Sequence, residues 1–132
     1  MKRVTAYADG AFWKNEKIAS SGVVIKKGHK YFHFSRREGK LGDSSSAEYK
    51  AFIFCLKKLI TLGMRENQIN LHTDYQVLVR QIKGEILPPR DEIHCKMFRE
   101  ILYLLSLFTN CVIQHVKSGI NPAHKIAQSA YR

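Results

Sequence analysis

The chain has 132 residues, 45% of them apolar, with 22 Lys+Arg against 11 Asp+Glu and a formal net charge of +11. That length and apolar content suit a single domain, residues 1–132, with its own core, and exclude a disordered tail. The excess of positive charge predicts a phosphate-bearing partner, because such a field concentrates polyanions and speeds their encounter.

Residues 3–12 read as a first strand whose end is marked by Asp9-Gly10. Residues 18–28 (IASSGVVIKKG) and 30–37 (KYFHFSRR) read as two more strands, with Gly28 at the tight turn between them. These three predict an antiparallel meander. After the polar loop GKLGDSS the period changes. Phe52, Cys55, Leu59 and Leu62 follow helical spacing within 45–63, and Gly63 is the stop signal. Residues 69–74 (INLHTD) predict a short strand and 75–84 a helix ending at Gly84. Pro88-Pro89 breaks the chain. A helix over 91–107 is expected to turn Ile93, Met97, Ile101, Leu104 and Leu105 inward, and 111–117 form the last strand. Asn121-Pro122 predicts an N-cap and first residue of a C-terminal helix. The order βββαβααβα implies an α/β fold: a meander joined to later parallel strands, with helices on the faces.

Cys55, Cys95 and Cys111 form no C-x-x-C pair and leave an odd count, so they read as reduced thiols rather than a disulfide frame or zinc site. The start of the chain, MKRVTAYADGAF, has no apolar signal core. The longest nearly apolar run, Ile101 to Phe108, is far short of the roughly 20 residues of a membrane helix. A cytoplasmic monomer that does not enter the membrane is expected.

Three acids stand where predicted elements start or stop. Asp9 and Asp74 fall at strand ends, and ligands of open α/β sheets gather at the carboxyl ends of strands. Glu48 precedes Phe52, Cys55 and Leu59 by helical spacing, which places it on the core-facing stripe, in the first turn of its helix. A lone carboxylate facing the sheet would cost several kcal/mol, and two more beside it would worsen this without a cation. Singly, each has a plainer reading: Glu48 as a capping partner of Ser45, Asp9 as a turn residue, Asp74 as a helix N-cap. Together they predict one oxygen-rich site for a divalent ion.

At these residues the sequence resembles the type 1 ribonuclease H family, in its short form without a basic protrusion. The segments that carry the resemblance are Tyr7-Ala8-Asp9-Gly10-Ala11, Ser46-Ala47-Glu48-Tyr49-Lys50-Ala51, Thr73-Asp74-Tyr75-Gln76 and Ala123-His124-Lys125-Ile126-Ala127. Their order and context span nearly the whole chain. The resemblance implies a ribonuclease H-like fold, with a five-stranded mixed sheet flanked by helices. It also implies endonucleolytic hydrolysis of the RNA strand of RNA–DNA hybrids by two divalent ions, Mg²⁺ or Mn²⁺. Asp9 would bridge both ions, Glu48 and Asp74 would hold the first, and His124 stands where the family places a fourth acid for the second. As a neutral imidazole, His124 would favour Mn²⁺ over Mg²⁺; as an imidazolium it would take the second ion's place. The segment VKSGINPAH before the last helix lacks a mobile histidine, and Tyr75 follows Asp74 where the family usually has Ser. The resemblance also implies substrate contacts from the backbone around Gly10 and from Ser44, Ser45 and Ser46.

Trp13, within Phe12-Trp13-Lys14, is a candidate for stacking on substrate or for an apolar hairpin contact. Lys57, Lys58, Arg80, Lys83 and Arg90 could track phosphates. Two alternatives stay open: a module that binds hybrid without cutting it, and another nuclease on the same fold.

Overall fold

The computed structural model describes residues 3–131. These form β1 (Arg3–Trp13), β2 (Ile18–Lys27), β3 (Lys30–Lys40), α1 (Ser44–Thr61), β4 (Gln68–Thr73), α2 (Gln76–Ile82), α3 (Glu92–Leu105), β5 (Asn110–His115) and α4 (Ala123–Gln128). Short 3-10 turns at Ser118–Ile120 and Ser129–Tyr131 bracket α4. The sheet order is β3-β2-β1-β4-β5. Strands β1, β2 and β3 pair antiparallel, and β4 and β5 run parallel to β1. Short turns can join antiparallel strands, whereas the parallel ones need the longer helical crossovers that this sequence supplies.

Alternation divides the sheet into two faces. Val4, Ala6 and Ala8 of β1, Val23 and Ile25 of β2, and Ile69 and Leu71 of β4 are buried towards α1. There they meet Phe52, Cys55, Leu56 and Leu59, all without solvent exposure. Met97, Ile101 and Leu104 bring α3 into the same core. Ile93, expected inward, is 69% exposed. Its neighbour His94 takes the inward place instead, with its ring 5.3 Å from that of Tyr49.

Helix α4 lies on the other face. A Cβ on Gly22 would stand 2.3 Å from the Ala127 nitrogen and 2.5 Å from the Ala123 oxygen, so helix backbone rests directly on strand backbone. Ala123 and Ala127 are fully buried there. The helix begins at Ala123, one residue later than Asn121-Pro122 implies, yet Asn121 still caps it. Its Oδ1 accepts from the Ala123 N–H, and its Nδ2 donates to the Ala8 carbonyl, both at 3.0 Å. One side chain thus fixes the start of α4 against the middle of β1.

Candidate metal site

Asp9 does not end its strand. Antiparallel pairing with β2 carries β1 on to Trp13, while the parallel ladder with β4 stops at Ala8 and Thr73. Asp9 is therefore the first residue beyond that ladder, and Asp74 is the first beyond β4. Glu48 lies in the second turn of α1, not the first, because the helix starts at Ser44. Asp9, Glu48 and Asp74 each offer an oxygen such that all three lie within 4.8 Å of one another.

The plainer readings of these acids do not hold. The cap of α1 is Asp43, whose Oδ1 accepts from the Ser46 N–H at 2.8 Å. Glu48 instead accepts the Gly10 N–H at 2.7 Å. That short contact is possible because Gly10 has no Cβ; one would sit 2.4 Å from the Ala47 oxygen. Tyr75, not Asp74, holds the position before α2, with no side-chain cap. Asp74 Oδ1 is buried and accepts no hydrogen bond. A buried oxygen without a donor is costly, and here it borders two other carboxylates. A divalent cation satisfies all of them with the oxygen ligands that Mg²⁺ or Mn²⁺ prefers, so the donor set fits such an ion.

Burial is the main reason why Glu48 is pushed up to about 9, with Asp9 and Asp74 adding repulsion. Burial and Asp74 likewise raise Asp9 to about 6, against the lowering effect of His124. The unfolded chain loses these protons at ordinary carboxylate pH, so the native state holds more protons between there and about pH 9. Stability from these groups is complete in acid and falls as pH rises through about 6 and then about 9. Thermal melts in EDTA are expected to show Tm declining from about pH 5 to about pH 8, with a shallower decline in Glu48→Gln. Mn²⁺ is expected to raise Tm more at the higher pH. A Glu48→Gln curve parallel to wild type would contradict this origin of the slope.

His124 comes from the first turn of α4 and donates from Nδ1 to Asp9 Oδ2 at 2.8 Å. It lies outside the three-acid group and remains about half exposed. The other expected contacts divide. Phe12, Lys14 and Ser44 border a hollow of about 430 Å³ with Lys17, Gly42 and Asp43. Trp13 leaves that side of β1 and packs edge-on against Tyr131, centroids 5.1 Å apart. Ser45 accepts a hydrogen bond from the Tyr75 hydroxyl, and Ser46 is buried beside His94 Nε2 at 3.0 Å. Lys57 pairs with Glu100, Arg80 with Glu85, and Lys58 lies over the rings of Phe34 and Phe54. Lys83 and Arg90 are exposed. Asn121 and His94 escape sequence reading as positioning residues, since Ala8 lies 113 positions from the first and Ser46 lies 48 from the second. Only the N-P cap signal hints at the first.

A mixed sheet in this order, with three acids at the end of its central parallel pair, defines the ribonuclease H-like class. The chain belongs to the reverse transcriptase-like family, whose family model matches residues 7–130. Ribonuclease H1 of the halophilic archaeon Halobacterium salinarum NRC-1 superposes with a TM-score of 0.87 at 28% identity, covering 98% of this chain and 97% of that one. LC11-RNase H1, solved in complex with an RNA/DNA hybrid, gives 0.85 at 23% identity over 96% and 95% of the two chains. The uncharacterized protein YpeP of Bacillus subtilis strain 168 is 29% identical over 105 residues. Those residues are 77% of this chain, which matches only 46% of that relative. No helix among the described residues is long and apolar enough to cross a membrane.

Proposed function

We propose that the chain is a divalent-ion-dependent endonuclease that hydrolyses the RNA strand of RNA–DNA hybrids. The observation that carries this reading is the close approach of Asp9, Glu48 and Asp74, with an Asp74 oxygen buried without a donor. Asp9, Glu48 and Asp74 would hold the ion. When bound, it supplies charge neutralisation at the scissile phosphate and activation of water. The chain's own residues set the geometry. The Gly10 N–H orients Glu48, and the Thr73 hydroxyl, accepting from the Tyr75 N–H at 3.1 Å, shapes the turn that presents Asp74. Ser44 and Ser45 at the start of α1, with Phe12 and Lys14, would receive the sugar-phosphate strands. Gly10 and Ser46 act by seating α1.

His124 sets the metal preference in this reading, because a nitrogen ligand or a proton donor at that place suits Mg²⁺ poorly. His124→Asp is expected to raise hybrid cleavage in Mg²⁺ about tenfold and to narrow the Mn²⁺ advantage, by analogy with the usual weight of groups around a metal. The assay compares hybrid, duplex DNA and duplex RNA in each ion. Equal, full Mg²⁺ activity in wild type and variant would overturn the role of His124. Cleavage of duplex DNA alone would select another nuclease on this fold, and binding without cleavage would select the non-catalytic module.

A further inference from the structure

The face of the sheet that carries α4 is only partly covered. Reading across the strands, Gly22 and Asp9 form the row on which α4 sits. The next row out is His33, Val24, Tyr7, His72 and Gln114, and the one beyond is Tyr31, Lys26, Thr5, Asn70 and Val112. The two rows share one face because each pair is separated by two residues along its strand. The ends of these rows stand open: Tyr31 is 60% exposed and Val112 42%. Tyr7 stacks on His72 with centroids 4.7 Å apart, and Lys26 Nζ lies 5.5 Å from the centre of the Tyr31 ring. A hollow of about 400 Å³ opens between Tyr7, Tyr31, His33 and Pro122, with Val24 as its buried floor.

The charge on this face is one-sided. None of the chain's eleven acids projects from either row, while Lys26 lies within one; Lys27 and Lys30, paired across the β2–β3 turn, alternate to the other face beside Phe32 and Leu62. Exposed rings on an open sheet, with a lysine among them and no acids, offer stacking surfaces for bases and counter-charge for a phosphate. A second copy of this chain would bring the same Lys26 and a net charge of +11, and is disfavoured. We propose that this face binds single-stranded nucleic acid, with a base stacked on Tyr31 and a phosphate held by Lys26. The site is separate from the three acids, and it would hold a strand leaving the duplex.

The test is fluorescence anisotropy with fluorescein-labelled 12-nucleotide oligouridylate and oligodeoxythymidylate, at low salt. Both are expected to bind, within about threefold of each other, since stacking does not read the sugar. Tyr31→Ala, which leaves the net charge unchanged, is expected to weaken both about tenfold. Asp9→Asn is expected to bind them as wild type does, and Tyr31→Ala to act on blunt hybrid as wild type does. Unaltered oligonucleotide binding by Tyr31→Ala, or a response to RNA alone, would overturn the proposal. So would a dimer, seen by light scattering, that Tyr31→Ala dissociates. None of these outcomes touches hydrolysis at the acids, so the two readings fail separately.

Discussion

Asp9→Asn is expected to lower hybrid cleavage by at least about a thousandfold, or about 4 kcal/mol of transition-state stabilisation, while making the metal-free protein more stable. The two effects share one cause. Asp9 is 3% exposed and faces Asp74 and Glu48, and burial and repulsion already raise its pKa to about 6. An amide of the same shape removes that repulsion, keeps a partner for His124, and relieves Glu48 of one neighbouring charge. A gain of about 1 kcal/mol in EDTA, read as a higher Tm, follows from the usual trade between stability and a functional site. The same change removes a ligand for the ion, so the Mn²⁺-induced rise in Tm should shrink along with cleavage. Calorimetry with and without Mn²⁺, beside the cleavage assay, separates these effects. A variant that cuts within about tenfold of wild type would remove Asp9 from the chemistry, whatever its stability. A variant that melts earlier in EDTA would show that the acids are not mutually destabilising.

The parts of this site differed in how far local sequence could reveal them. The three acids were legible because each carries a local conflict: a charged residue within an apolar pattern or at a strand end. The mixed sheet was legible because the change from period two to helical spacing near residue 45 is a property of short windows. Boundaries were less legible. Pairing with β2 carries β1 four residues past Asp9, and a one-strand reading contains no sign of its partner. Ile93 fits the inward stripe of α3 by spacing alone, but His94 takes that place through contacts with Tyr49, Ser46 and Asp43. The cap of α1 fell to Asp43 rather than Ser45, leaving Ser46 free to face His94. Trp13 sits in a run with Phe12 and Lys14, yet strand alternation sends it to the opposite face, onto Tyr131. The places of His94 and Trp13 depend on residues tens of positions away, which no window can hold, whereas the Asp43 cap and the extension of β1 rest on near neighbours.

Gly22→Ala is expected to destabilise the fold by about 2–4 kcal/mol, an overpacking cost at its upper range because both obstacles are backbone. In a chain of this size that lowers Tm by about 10 °C. The added methyl would stand 2.3 Å from the Ala127 nitrogen and 2.5 Å from the Ala123 oxygen, and neither can turn aside as a side chain could. Relief requires α4 to lift from β2. That movement strains the Asn121 bridge to the Ala8 carbonyl and draws His124 away from Asp9, a contact of 2.8 Å. Asp9, Glu48 and Asp74 lie on β1, α1 and the end of β4, so their approach survives. The variant should therefore lose stability while altering the metal preference in the direction that loss of His124 dictates. Gly42→Ala is the control: its added methyl meets nothing within 4 Å, and its effect should stay within about 0.5 kcal/mol. If Gly22→Ala melts with the control, α4 does not rest on β2 at this point, and His124 owes its place beside Asp9 to something other than that glycine.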